Sequence, residues 1–134
     1  MNIGKNGDFC TSPSLSNDFA RLLAIQVAEW FYDLEKAGTN SEMFSLVEVG
    51  PGEGSLSRDL IDAMRGIAPA LICKIELVLV ELNVGMRRRQ EKVVNNLEGI
   101  NCRWSSIEDL ILRPVTGVVT VSYTHLTLPT IYSV

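Results

Sequence analysis

Four short apolar runs alternate with stretches of helical periodicity along the chain. Before the first run, apolar positions recur every three or four residues from Leu15, which predicts a helix that begins near Pro13 and ends at about Lys36. The four runs are too short for helices and most of them end at turn-forming residues. They predict strands at about 44–49, 74–81, 100–104 and 117–122.

Helical spacing between these strands predicts two further helices. The first follows the 44–49 strand and is expected to place Ser57 on its water-facing side, and Asn83 can cap the second, which reaches about Leu97. The KIELVLVE run is apolar enough for a strand buried on both faces of a parallel sheet. We therefore predict an α/β fold, a doubly wound sheet with a preceding N-terminal helix packed on it.

The composition is typical of a globular protein and excludes several classes of partner. Of 134 residues, 46% are hydrophobic and 21% charged, which excludes a disordered chain. The net charge of -4 disfavours nucleic acid and anionic membranes and favours a small molecule or a basic protein. No apolar stretch approaches the roughly 20 residues of a membrane span, and the first residues carry no targeting signal, so the cytoplasm is the expected compartment.

The cysteines give no sign of a metal site or a disulfide framework. Cys10, Cys73 and Cys102 lie far apart in the sequence and form no Cys-x-x-Cys pair. We expect three reduced and mostly buried thiols, and no bound metal.

The last residues of the chain differ from the rest. VSYTHLTLPTIYSV has no charged side chain, and its first ten residues can be back-translated into a transposase adapter used in DNA sequencing libraries. We therefore expect residues 1–120 to be a truncated natural domain and residues 121–134 to be a non-native tail. No native packing is expected past Leu126, because Pro129 cannot continue a central strand. His125 lies in this tail and is not a catalytic candidate.

A glycine-rich turn follows the first predicted strand. Glu48 precedes Gly50, Gly52 and Gly54 at a passage from strand to helix, where open α/β sheets bind ligands. A dinucleotide fingerprint counted from Gly50 would need glycine at position 55, where this chain has Ser55. A carboxylate at Glu48 also suits a cationic ligand better than a pyrophosphate.

The second predicted strand ends at an acidic residue of its own. Glu81 is placed to accept hydrogen bonds from both hydroxyls of a ribose. Together with the glycine turn it favours S-adenosylmethionine, which has a ribose, a sulfonium and an ammonium but no phosphate. Two alternatives stay open on these residues alone: a turn that only lets strand and helix pack, and a nucleotide site.

Three segments resemble one known family. GDFCTSPSLSNDFARLLA, LVEVGPGEGSLSRDLI and ELVLVELNVGMRRRQ are similar to the MidA family of S-adenosylmethionine-dependent methyltransferases, over roughly residues 4–120. The resemblance implies a Rossmann-like methyltransferase sheet, and methylation of a protein arginine linked to the assembly of respiratory complex I. It also carries over the residues expected to bind the cofactor, which are Glu48, Gly50, Gly52, Gly54, Glu81, Ser106 and Ile107.

Thr11 and Ser12 have two interpretations. In the family the segment around them lies upstream of the sheet and could fold across the cofactor, so both are candidate cofactor contacts. Alternatively, one of them only caps the N-terminal helix by accepting hydrogen bonds from free N-H groups.

The same resemblance leaves the catalytic residue unknown. Family members continue after the fourth strand into an Asn-Glu motif and an Asp-Ala-x-Pro motif near the reaction centre, and here the tail stands in their place. We therefore expect this fragment to be inactive, and a mitochondrial location only if a transit peptide precedes it. The alternative functions are a non-catalytic methyltransferase-like assembly module and, with less support, a nucleotide-dependent oxidoreductase.

Overall fold

The computed structural model describes residues 13–38, 43–122 and 127–132. The helices are α1 (Pro13–Lys36), α2 (Ser55–Ile67), α3 (Pro69–Ile72), α4 (Val84–Val94) and α5 (Ile107–Leu112). The strands are β1 (Phe44–Val49), β2 (Ile75–Val80), β3 (Asn101–Ser105), β4 (Gly117–Ser122) and β5 (Thr127–Tyr132). The predicted α/β fold is confirmed, and each of the four predicted strands lies within one residue of its expected bounds.

The five strands form one sheet in the order β3-β2-β1-β4-β5. The first four are parallel to one another, and β5 runs antiparallel to β4. Successive strands move outward from β1 to β3, and the chain then returns to the other side of β1 as β4. The strand order therefore reverses at β1, and in sheets of this kind ligands bind beyond the carboxyl ends of the strands at such a point.

Gly117 allows β4 to approach β1 closely. A Cβ atom at this position would lie 1.7 Å from the carbonyl oxygen of Ser45, which no side chain could tolerate. The neighbouring carbonyl of Thr116 accepts a hydrogen bond from the Ser45 amide at 2.9 Å. The parallel pairing of β1 and β4 therefore begins at a residue that must be glycine.

The two faces of the sheet are covered unequally. One face packs against α1, α2 and α4 in a large apolar cluster that includes Phe31, Ile61, Leu77 and Val94. Each such residue, when fully buried, contributes about 1.5 to 3 kcal/mol. The opposite face carries a small cluster in which β-strand valines pack with Leu110 of α5.

The periodicity of α1 is confirmed with one exception. Leu23, Val27, Phe31 and Leu34 are buried on the sheet side of the helix, as their spacing predicts. Leu22, which the same spacing included, is exposed to solvent. None of the helices in the described ranges is long and apolar enough to cross a bilayer.

The expectation that nothing packs beyond Leu126 is wrong for the backbone of β5. Thr127–Tyr132 pairs with β4 along its whole length, with Pro129 opposite Thr120. Pro129 was expected to prevent this pairing because proline has no backbone N-H to donate and is therefore not found in central strands. β5 is the edge strand, where one side of the backbone needs no partner, so proline is tolerated there. His125 lies outside the described residues.

The cysteines differ in exposure. Cys73 is exposed and Cys102 half-buried, so the expectation of mostly buried thiols is wrong for Cys73, while Cys10 lies outside the described residues. Burial raises the pKa of Cys102 to about 11. In the part of the chain that the structure describes, no three His, Cys, Asp or Glu side chains form a possible metal site.

A polar bridge joins β1, β2 and β3 on the less covered face of the sheet. Glu76 accepts a hydrogen bond from the Ser45 hydroxyl at 2.6 Å and another from Arg103 Nε at 3.0 Å. Burial opposes ionisation of Glu76, but the hydrogen bonds from Arg103 and Ser45 outweigh it and hold the pKa of this carboxyl below its ordinary value of 4.5.

This bridge predicts a specific loss of stability in acid. Because the pKa of Glu76 is lowered in the folded state, its contribution is present above pH 4.5 and is lost as the pH falls through the folded-state value. We expect wild type to lose up to about 1 kcal/mol more of its unfolding free energy than Glu76→Gln between about pH 6 and pH 3. Urea unfolding at both pH values measures this, with Glu98→Gln at an exposed position as the control. Equal losses in all three proteins would contradict it.

Candidate functional site

The glycine turn between β1 and α2 forms one wall of the candidate site. Gly50, Gly52 and Gly54 all have positive φ, at 69°, 62° and 91°, a conformation that side chains with a Cβ rarely adopt. The amide of Gly50 donates to the carbonyl of Val80 at 3.1 Å, which ties the turn to the end of β2. A Cβ on Gly52 would meet no atom within 4 Å. The backbone at Gly52 therefore borders open space that a ligand could enter.

Glu48 lies beneath this turn. Its side chain is 2% exposed and accepts a hydrogen bond from the hydroxyl of Ser57. Ser57 was expected to face water, but it is buried, because the first turn of α2 lies over the end of β1. A buried carboxyl group needs hydrogen-bond donors, and the serine hydroxyl supplies one.

Gln90 of α4 joins the glycine turn to the end of β2. Its side chain is fully buried, at 0% exposure. Nε2 donates to the carbonyl oxygen of Gly52 at 2.6 Å and to Oε1 of Glu81 at 2.9 Å. Oε1 of the same amide accepts from the indole Nε1 of Trp104 at 2.9 Å. One side chain therefore connects β2, β3 and the turn after β1.

Gln90 is a candidate site residue that was not predicted, although the sequence contains a signal for it. Gln90, Val94 and Leu97 are spaced by four and three residues, and Val94 and Leu97 are buried. A polar residue on the apolar stripe of a helix needs a buried hydrogen-bond partner. The spacing could therefore have identified Gln90, although not the groups that it contacts.

Glu81 follows directly after β2 and has a partner on each carboxylate oxygen. Gln90 donates to Oε1, and the amide of Asn83 donates to Oε2 at 3.2 Å. Arg87 Nε binds the backbone carbonyl of Glu81 at 2.8 Å. A carboxylate oxygen has two acceptor positions, so Glu81 can accept further hydrogen bonds from two hydroxyl groups.

Two exposed apolar side chains follow the ends of the neighbouring strands. Leu82 comes directly after Glu81 and is 85% exposed, and Ile107 at the start of α5 is 45% exposed. Leu82 was not predicted, although a large apolar residue directly after an acid at a strand end is a recognisable signal. Both side chains offer surface on which a planar ring could pack.

The other predicted residues divide into two groups. Ser106 is the N-cap of α5, and its hydroxyl accepts from the amide of Asp109 at 3.0 Å, so its side chain serves the helix. Thr11 and Ser12 both lie outside the described residues. The structure therefore joins Gly52 to Glu81 through Gln90 and ties Gly50 to Val80, the residue before Glu81, with Glu48 below the turn.

The carboxyl edge of the parallel strands thus combines an acceptor for hydroxyls, an open glycine backbone and apolar side chains. The N-terminus of α2 adds backbone N-H groups, because Gly54 precedes it and supplies no side-chain cap. These features fit a ligand that contains a ribose, a flat apolar ring and a carboxylate.

Comparisons with known proteins agree with this chemistry. The family model described as "Putative S-adenosyl-L-methionine-dependent methyltransferase" matches residues 22–122. A relative from Homo sapiens named protein arginine methyltransferase NDUFAF7, mitochondrial, is 39% identical over 82 residues, which are 60% of this chain and 18% of that protein. Its homologue from Drosophila melanogaster is 45% identical over 63 residues, 46% of this chain and 13% of that protein.

A solved structure shares the fold. It is a protein from Burkholderia thailandensis bound to S-adenosyl-homocysteine, with a TM-score of 0.53 and 29% sequence identity, and the match covers 75% of this chain and 24% of that one. The chain therefore spans only a small part of the length of the proteins that it matches. The family match nevertheless covers most of the chain, from the middle of α1 to the end of β4, and the chain belongs to this family of S-adenosylmethionine-dependent methyltransferases.

Proposed function

We propose that the full-length protein transfers a methyl group from S-adenosylmethionine to an arginine side chain of a protein substrate, in a step linked to the assembly of a respiratory complex. The proposal that the protein binds this cofactor is supported mainly by one observation. At the carboxyl edge of the sheet, Gln90 connects the backbone of Gly52 to the carboxylate of Glu81. The arginine substrate is supported by the relatives, which are named protein arginine methyltransferases. The link to complex I rests on the resemblance to the MidA family.

Each part of the cofactor has a counterpart in the described residues. Glu81 accepts from the ribose hydroxyls, and Leu82 and Ile107 supply apolar surface for the adenine. The carboxylate of the methionine portion suits the N-terminus of α2, where backbone N-H groups and the helix dipole favour an anion. Gly50 and Gly52 let the ligand approach the backbone.

Glu48 and the N-terminal residues take less direct roles in this proposal. Because Glu48 is buried, its carboxyl group acts on the positively charged portion of the cofactor through its field and through the Ser57 hydroxyl at the start of α2. Ser106 fixes the start of α5 and thereby places Ile107. Thr11 and Ser12 remain candidate contacts from the segment before α1.

The chemistry needs orientation more than it needs reactive side chains. The methyl carbon of a sulfonium is already electrophilic, so the protein has to align the nucleophile and accept one proton from it. The described residues proposed for the site bind and orient the cofactor, and none of them is assigned as the base. We therefore propose no catalytic residue and expect the 134-residue chain to bind the cofactor without turnover.

The tail and the compartment are part of the same proposal. We propose that residues 121–134 are not part of the methyltransferase domain, and the end of the family match at residue 122 supports this for residues 123–134. The relatives are named as mitochondrial proteins, whereas the sequence predicts the cytoplasm. We propose the cytoplasm for a bacterial source, and the mitochondrion where a transit peptide precedes the domain.

A first prediction concerns the ribose acceptor. Glu81→Ala should weaken binding of S-adenosylhomocysteine to the chain by on the order of 1 to 3 kcal/mol, because the ribose hydroxyls lose a charged acceptor. Isothermal titration calorimetry measures this, and Glu98→Ala, which removes an exposed carboxylate between α4 and β3, is the control. Wild-type affinity in Glu81→Ala would refute the assignment.

A second prediction distinguishes a side chain that blocks the ligand from one that only strains the backbone. Gly52→Val should abolish detectable binding, because the side chain would enter the open space beside the turn and resist a φ of 62°. Gly38→Val is the matched control, since Gly38 has a φ of 73° and also borders open space, but lies after α1. We expect both variants to lower the melting temperature and only Gly52→Val to lose binding. Equal affinity in the two variants would contradict the site.

A third prediction tests the activity itself. A full-length family member incubated with methyl-labelled S-adenosylmethionine and candidate protein subunits should transfer label to an arginine, identified by mass spectrometry. The same assay on the 134-residue chain should show cofactor binding and no transfer. Binding without transfer by the full-length protein on every subunit would instead favour the non-catalytic assembly module.

A further inference from the structure

Gln90 is a buried amide in which every polar hydrogen has a partner. The two hydrogens on Nε2 are used by Gly52 and Glu81, and Oε1 accepts the indole hydrogen of Trp104. These three partners belong to the turn after β1, the end of β2, and β3. None of the bonds lies within α4 itself, so the side chain serves the site and not its own helix.

The chemistry of the partners fixes the orientation of this amide. An indole N-H can only donate, and the carbonyl of Gly52 and the carboxylate of Glu81 accept. Rotating the amide of Gln90 by 180° would place N-H against N-H on one side and oxygen against two oxygens on the other. The three partners together therefore require that Nε2 faces the glycine turn and the acid, and Trp104 is the donor among them.

We propose that Gln90 is a positioning residue that holds the Glu81 carboxylate at a fixed spacing from the glycine turn, and that this spacing selects ligands with ribose hydroxyls. The inference rests on the proposed function in one respect, which is that Glu81 accepts from the ribose. It adds that Glu81 cannot do this alone.

The exposure of Glu81 is the reason for this dependence. Its side chain lies partly exposed at the end of a strand, where a glutamate with three rotatable bonds samples many orientations. The bonds from Gln90 and the Asn83 amide hold both carboxylate oxygens. A ligand that meets an acceptor already in place avoids the entropic cost of ordering it.

Two substitutions of Gln90 separate this role from packing. Gln90→Leu keeps a similar shape and removes all three hydrogen bonds. Gln90→Glu keeps the shape and the acceptor for Trp104, but places a second oxygen against Glu81 and Gly52. When that new carboxyl group is protonated it can donate again to one of them, so the defect of Gln90→Glu should diminish at low pH.

The charged groups near position 90 are few in the described structure. Glu81 contacts the amide directly, and Arg87 binds the backbone carbonyl of Glu81. Glu53 and Arg89 pair with each other at the surface, at 3.9 Å and with both side chains largely exposed. Repulsion from Glu81 is therefore the dominant effect on a carboxylate introduced at position 90.

The test compares two ligands on the 134-residue chain. Calorimetry measures the affinities of S-adenosylhomocysteine and of its 2′,3′-dideoxy analogue for wild type, Gln90→Leu and Gln90→Glu, with Gln26→Leu on α1 as the matched control. We expect Gln90→Leu to reduce the preference for the ribose-containing ligand by about tenfold and to change binding of the analogue little. Gln90→Glu should lose the preference at about pH 8 and regain part of it at about pH 5.

The possible outcomes separate the inference from the proposed function. A wild-type chain that binds neither ligand overturns the proposed function, and the inference with it. If wild type prefers the ribose-containing ligand and Gln90→Leu shows the same preference, only the inference is overturned. The inference is also overturned if Gln90→Leu loses affinity equally for both ligands, because that result indicates a merely structural role. If Gln90→Leu does not fold, Trp104→Phe is the deciding variant, because it removes the hydrogen bond that Oε1 of Gln90 accepts and should lower the preference a few-fold. An unchanged preference in this variant would overturn the inference.

Discussion

Parallel pairing of β1 with strands on both of its sides determines where the glycine turn and Glu81 lie. Val49, the last residue of β1, pairs with Val80 of β2 and with Val121 of β4. The chain must leave the sheet at this point, and the glycine turn provides the exit. Because the strands are parallel, the residue that ends β2 emerges at the same edge. The proximity of the glycine turn and Glu81 is therefore a consequence of the strand register.

The strand register brings the glycine turn and Glu81 to the same edge of the sheet but does not connect them. α4 completes the candidate site, because its buried face presents Gln90 to both of them, and these two acceptors together with Trp104 on β3 fix the orientation of the amide. The same helix packs Val94 into the main apolar cluster. Its position on the sheet is therefore fixed by burial of apolar surface, and the hydrogen bonds of Gln90 depend on that packing.

Much of this arrangement can be predicted from sequence because it depends on local patterns. Apolar runs of strand length predict the four parallel strands, and the spacing of the glycines together with the acid after β2 indicates the edge at which the candidate site lies. Ser57 could not be assigned in this way, since it is polar and its burial depends on the packing of α2 over the end of β1, where Glu48 accepts its hydrogen bond. For Gln90 the spacing indicates burial but not the partners, which lie 9 to 38 residues away along the chain. β5 shows the opposite case, in which proline argues against a strand in general but not at a sheet edge.

The measurement that tests this account most directly is a nuclear magnetic resonance titration of the nitrogen-15-labelled 134-residue chain with S-adenosylhomocysteine. The indole N-H of Trp104 and the side-chain amide of Gln90 report on the hydrogen-bonded group, and the indole of Trp30 on α1 is an internal control. We predict slow exchange of the Gln90 amide protons with solvent, and ligand-dependent shifts of the Gln90 and Trp104 signals while Trp30 stays unchanged. Rapid exchange of the Gln90 amide, or ligand binding that leaves both site signals unmoved, would contradict it.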